Sequence, residues 1–157
     1  IPLPVIDALS HHPNIIAVKD SERSDERLQQ SLALWKHRGG FSHFTGWAAR
    51  SATAMLGGSD GLVPSTGNLW PVIYQQLAQA VQQGDSARAY ALQDKSDQYG
   101  ELYQKGKTLG ESLRALKVLM QQEGLCGPAV MPPLQPLPQD EEDKLIQSLE
   151  DIKKQAP

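Results

Sequence analysis

The sequence predicts an α/β fold built on parallel strands. Three observations carry that reading: three short segments of strand character, helical patterns between them, and a helical pattern that runs without a strand from Ser86 onward. Strands that alternate with helices imply parallel pairing through right-handed crossovers. In such folds the chemistry gathers at the carboxyl ends of the strands, which is where Lys19, Gly46 and Ser65 fall.

Pro4 to His11 reads as a short helix that Pro13 bounds. Asn14 to Asp20 follows as the first strand, because the apolar, β-branched run Ile15-Ile16-Ala17-Val18 suits a strand buried on both faces. Ser24 to Arg38 is an amphipathic helix, with Ser24 or Asp25 near its N-cap and Gly39-Gly40 ending it. Its Leu28, Leu32 and Trp35 recur at helical spacing and are expected to face the sheet. Phe41 to Gly46 is a second strand. Ala48 to Leu56 is a helix whose alanines allow close packing, and Gly57 to Asn68 supplies a turn, a third strand and a polar loop. Asn68 to Gln83 is a longer helix, with Asn68 as N-cap and Pro71 in the first turn. Ser86 to Lys105, Leu109 to Glu123 and Asp140 to Lys154 read as helices. Acids open the last and lysines close it, which suits its dipole, and the Pro-rich stretch Pro128 to Pro138 is an extended connector.

Composition narrows the function classes. Hydrophobic residues make up 39% of the chain, enough for a globular piece. A net charge of −3 and a pI near 5.8 argue against a nucleic-acid surface. The single cysteine, Cys126, excludes an internal disulfide and suggests a reducing, cytoplasmic compartment. No apolar run approaches the ~20 residues of a membrane span. The four histidines lack metal-ligand spacing, so neither a metal nor another cofactor is expected.

Lys19 is the residue with the clearest chemistry. A lysine at the end of a doubly buried strand has little water around its ammonium, and desolvation favours the neutral amine. A neutral amine is a nucleophile toward carbonyls and forms Schiff bases with them. Strand context alone leaves open a lysine that merely snorkels into solvent. Asp20 follows directly, but adjacent strand residues point to opposite faces, which puts it outside the pocket.

The string Asn-Ile-Ile-Ala-Val-Lys-Asp-Ser at 14–21 resembles the Schiff-base lysine segment of the dihydrodipicolinate synthase and N-acetylneuraminate lyase family. Gly-Gly-Ser-Asp-Gly-Leu-Val-Pro-Ser-Thr-Gly-Asn at 57–68 resembles that family's last barrel strand and following loop, and Gly127 to Leu137 its Pro-rich link to the last helix. The likeness covers essentially the whole chain. It implies the C-terminal part of a TIM (β/α)₈ barrel, its last three strands, followed by a helical C-terminal extension. Residues 1–83 would be the barrel part and 84–157 the extension. A complete barrel needs ~250 residues. The family's glycine-threonine carboxylate site and proton-shuttling tyrosine are therefore expected upstream of Ile1. A free-standing helical domain with a small sheet is the alternative.

The resemblance also implies an activity: a class I aldolase or lyase in which Lys19 forms a Schiff base with pyruvate or another 2-oxo acid, and the product enamine adds to an aldehyde. Gly46 would line the pyruvate half of the site, where a side chain would collide. Val63 would present backbone to the carboxylate or imine. Ser65 would bind a hydroxyl of the acceptor, or only order its loop. The sialic-acid-cleaving branch has acids just after the glycine; Trp47 and Ala48 stand here instead, which counts against that substrate. Dihydrodipicolinate synthase proper and a 2-keto-3-deoxy sugar acid aldolase both stay open. So do a member that binds a keto acid without turnover and an inactive barrel fragment that assembles with its missing half. A homo-oligomer, in the family commonly a tetramer, is expected.

Overall fold

The computed structural model describes residues 1–155. Its elements, in order, are α1 (Leu3–Leu9), β1 (Ala17–Asp20), α2 (Asp25–Trp35), β2 (Ser42–Thr45), a 3₁₀ turn (Ala48–Arg50) running into α3 (Ser51–Gly57), β3 (Gly61–Leu62), a second 3₁₀ turn (Ser65–Asn68), α4 (Pro71–Gln82), α5 (Ser86–Gln104), α6 (Leu109–Gln122) and α7 (Gln139–Gln155). The three strands form one parallel sheet in the order β1-β2-β3. Lys19 stands opposite Phe44, and Thr45 opposite Leu62. This is the α/β alternation that the sequence predicts.

Two compact units divide the chain, Ile1–Ser96 and Asp97 onward, and the division falls within α5. In the first unit, α2 begins where the serine cap predicts: Ser24 Oγ accepts the Arg27 backbone N–H at 3.2 Å. Leu28, Leu32 and Trp35 are buried, and Trp35 packs with Leu3, Ile6 and Phe41. The Trp35 indole N–H donates to Asp7 Oδ1 at 3.0 Å, and its ring meets Phe41 edge-on at 5.4 Å. A second cluster joins Ala52 of α3 to Leu77 and Ala80 of α4 and Ala89 of α5. The small residues of α3 bring these elements close, as their pattern suggests.

Several boundaries depart from the sequence reading, each for a local reason. β1 is not buried on both faces. It is the edge strand, paired to β2 alone, and Ile16 beside it is 70% exposed. An apolar run reports strand character; its burial depends on a neighbour that the described residues do not supply. α2 stops at Trp35, and the chain then turns so that Arg38 reaches Asp7, the Ser10 hydroxyl and carbonyl, and His11. The stretch after Trp47 opens as a 3₁₀ turn because the buried Gln93 amide grips both its ends, accepting Ala52 N–H at 3.0 Å and donating to the Ala48 carbonyl at 2.9 Å. Asn68 does not cap α4. Pro71 at the first position sets that start, since the residue before a proline avoids helical angles, and Trp70 sits at φ −128°, ψ 66°. The Asn68 amide instead donates to the Ser65 carbonyl at 2.9 Å.

In the second unit α6 packs on α7, burying Leu116 and Leu119 on one helix and Leu145 and Leu149 on the other. A capping box opens α6: Thr108 Oγ1 accepts Glu111 N–H, and the Glu111 carboxylate accepts Thr108 N–H at 2.7 Å. These hydrogen bonds hold the Glu111 carboxyl below its usual range. Arg114 reaches back to the Gln135 carbonyl in the Pro-rich connector.

His43 is a buried polar residue of the first unit, 1% exposed on the helix-facing side of β2 and stacked on Trp35 at 6.0 Å. Burial pushes its imidazole below the ordinary histidine value, while Asp20 and Asp60 pull the other way. Unfolding frees it to take up a proton near pH 6.5 that the folded ring refuses. Its contribution is complete above that pH and falls as pH drops toward the folded value. Urea unfolding is therefore expected to show a larger stability loss between about pH 7.5 and 5.5 in the wild type than in His43→Gln. In the same assay Trp35→Ala is expected to cost about 3–5 kcal/mol and Ser24→Ala about 1 kcal/mol.

Candidate active site

The parallel ladder brings the carboxyl ends of three strands together. Strand alternation puts Lys19 on the face away from the helices and Asp20 on the face toward them. Asp20 is bound there by Arg27, whose Nε lies 2.7 Å from Oδ2, and it also accepts the Glu22 backbone N–H at 3.0 Å. Asp20 is thus kept out of the groove that Lys19 shares with β3, but it borders the groove along the free edge of β1 together with Lys19, so alternation separates the two on one side only. Lys19 itself is exposed. The desolvation expected from a doubly buried strand is not present around this edge strand.

Gly46 closes β2, its N–H donating to the Asp20 carbonyl at 2.6 Å. A Cβ built there would lie 2.6 Å from Lys19 Cε and collide with Ser21 Oγ. The lysine and the serine two residues on both pass in front of Gly46, so no other residue fits without moving them. The collision expected of a side chain at 46 is therefore already present within the protein.

β3 contributes the next wall. The Val63 N–H donates to the Thr45 carbonyl at 2.8 Å, and its side chain is 46% exposed at the strand mouth. Lys19, Leu62, Val63, Pro64, Ser65 and Tyr74 line one open groove of about 420 Å³. Ser65 begins the second 3₁₀ turn, while Thr66 beside it is fully buried, so of that pair only Ser65 borders the groove. On the other side of Lys19 a groove of about 510 Å³ runs along the free edge of β1, between apolar Ile1, Ile6 and Ile15 and polar Asp20, Ser21 and Arg27. The lysine stands between the two grooves. Trp47 sits apart from both, under the Arg50 guanidinium at 4.8 Å, and Arg50 in turn grips Asp25 through two bonds of 2.6 and 2.9 Å.

The four residues singled out from sequence (Lys19, Gly46, Val63 and Ser65) thus meet at one mouth. Two others were missed. Ser21 was within reach of the two-residue strand period counted from Lys19. Tyr74 sits in the first half of α4 and gave no sequence signal; it enters the groove wall because its hydroxyl is drawn to Ser96 Oγ at 2.6 Å. Among the described residues no group of three His, Cys, Asp or Glu side chains is placed to hold a metal ion.

The model of the dihydrodipicolinate synthetase family matches residues 1–152. A 4-hydroxy-tetrahydrodipicolinate synthase of Xylella fastidiosa is 40% identical over 77 residues, 49% of this chain and 25% of that protein. One from Acidovorax is 28% identical over 138 residues, 85% of this chain and 43% of that one. Among solved structures, the dihydrodipicolinate synthase of Bacteroides thetaiotaomicron superposes with a TM-score of 0.85 at 26% identity, over 94% of this chain and 50% of that one. YagE, a family member of E. coli K12 solved in complex with pyruvate, gives 0.83 at 25% identity, over 96% and 50%. The chain thus spans about half the length of the solved structures it matches. It belongs to the dihydrodipicolinate synthetase family.

Proposed function

We propose that this chain is the C-terminal part of a (β/α)₈ barrel, with residues 1–83 as its last three strands and their helices and 84–157 as a helical extension, and that it serves a pyruvate-dependent aldolase or synthase of the Schiff-base class. The observation that carries the reading is the meeting of Lys19, Gly46, Val63 and Ser65 at the carboxyl ends of three parallel strands. In this reading the Lys19 amine attacks the keto carbon of pyruvate or another 2-oxo acid. The carbinolamine loses water to give an iminium ion, which draws electrons from the neighbouring methyl carbon. Loss of a proton there leaves an enamine, and the enamine carbon bonds to the carbonyl carbon of an aldehyde. Hydrolysis of the new imine frees Lys19, and the reverse sequence cleaves the same bond.

Gly46 leaves room for the lysine stem beside the keto acid. Val63 presents its backbone to the carboxylate or imine, and Ser65 faces the acceptor. The absence of acids after Gly46 disfavours a sialic acid. The relatives named 4-hydroxy-tetrahydrodipicolinate synthase support the same general class. A cytoplasmic homotetramer accompanies this family reading, and no described helix is long and apolar enough to cross a membrane.

A second reading has its own observation. The free edge of β1 exposes unpaired backbone and apolar Ile1 and Ile16, 74% and 70% exposed. This favours a chain that is inactive by itself and acquires activity when further strands close the sheet.

The test is borohydride reduction in the presence of pyruvate, with the adduct mapped by mass spectrometry. It is applied to this chain and to a form extended upstream to the length of its solved relatives. An adduct on Lys19 of the extended form, lost in Lys19→Ala, is expected; no adduct in either form sinks the aldolase reading. An adduct on the short chain as well would remove the second reading. Gly46→Ala is expected to slow trapping in the extended form by about 100-fold, because the added methyl displaces the lysine stem by the order of an ångström. A trapping rate equal to wild type would contradict that role for Gly46.

A further inference from the structure

On the helix-facing side of the sheet, opposite Lys19, lies a small cavity of about 10 Å³ bordered by Asp20, Glu22, Arg27, Leu28, His43 and Thr45. Its chemistry follows from the position of one proton. His43 Nδ1 is 3.1 Å from Ser59 Oγ, and that same oxygen lies 2.9 Å from the His43 carbonyl and 3.2 Å from the Gly61 carbonyl. A carbonyl only accepts, and a hydroxyl has a single hydrogen, so Ser59 gives its hydrogen to a carbonyl. The hydrogen between Nδ1 and Ser59 then belongs to the ring. Burial keeps the imidazole neutral, in agreement with its lowered pKa. A neutral ring protonated at Nδ1 leaves Nε2 as a bare acceptor.

Nε2 is buried and has no hydrogen-bond partner among the described residues. A buried acceptor left unmet costs free energy. Two of the Arg27 nitrogens are engaged elsewhere: Nε bonds Asp20, and Nη2 bonds the Ile1 carbonyl at 3.0 Å. Thr45 Oγ1 receives the Trp47 N–H at 3.2 Å, which leaves its own hydrogen to give. The cavity is about the ~10–15 Å³ that one water needs, and water also needs two to four polar partners. Five of the six residues that border it are polar, His43, Asp20 and Thr45 among them.

We propose that this cavity binds a single water molecule that donates to His43 Nε2 and to the Asp20 carboxylate and accepts from the Thr45 hydroxyl. The water ties β2 to β1 at the residue that follows Lys19. It thereby fixes the end of the edge strand from which the lysine projects. This inference stands independently of the reaction assigned to the lysine.

Nitrogen-15 NMR of the imidazole, with water–protein cross-relaxation, tests it on the wild-type chain. The expected result near pH 7.5 is a neutral His43 protonated at Nδ1, with a long-lived water close to the ring. A ring protonated at Nε2 overturns the proposal, and so does an Nδ1-protonated ring with no long-lived water beside it. Oxygen-17 relaxation dispersion is expected to show one fewer long-lived water in Thr45→Val or in His43→Leu, whichever stays folded. An unchanged count in a folded variant also overturns it.

Discussion

The structure depends on one constraint, the register of a short parallel ladder. Lys19 stands opposite Phe44, and Phe44 opposite Gly61, so a single face of the sheet carries the lysine, an aromatic ring and a glycine in a row. The ring needs that glycine: a Cβ at Gly61 would lie 2.7 Å from the Phe44 ring. A slip of one residue would exchange the faces, burying the lysine among helices and turning Asp20 and His43 outward. The helices enforce the register, since Trp35 of α2 stacks on His43 and its cluster takes in Val18, one of the two possible sets of side chains.

The same alternation separates charge. Lys19 and Asp20 are adjacent in sequence, and in a flexible loop their charges would approach each other. In β1 they project to opposite sides, and Arg27 satisfies Asp20 on the helix side. The lysine therefore faces the β3-side groove without its neighbour's carboxylate, while Asp20 borders the groove at the β1 edge. The crowding at Gly46 completes the arrangement by limiting where the lysine stem can lie.

The edge of β1 is open among the described residues. The groove there is apolar and open, and the strand has a hydrogen-bonding side with no partner among the described residues. Desolvation of Lys19 requires that side to be covered. The apolar run at 15–18 is thus matched to a more enclosed setting than this chain provides, which agrees with its spanning about half of its solved relatives.

Much of the fold and site could be read from residues alone. The apolar run into Lys19, the glycines at 46 and 57–58, and the serine before α2 located three strands, their crossovers and the strand ends that converge. These are local signals, set by backbone freedom, capping and two- or three-residue periods. Asn68 misled because its capping chemistry is real, but Pro71 fixed the helix start more strongly than a side-chain oxygen could. What only tertiary structure decided were the non-local matters: the exposure of Lys19, the close approach of the Lys19 and Ser21 side chains to Gly46, the arrival of Tyr74, and the buried edge of His43 facing Asp20. Each depends on which segments, distant in sequence, come to share one small volume, and no local pattern of residues carries that information.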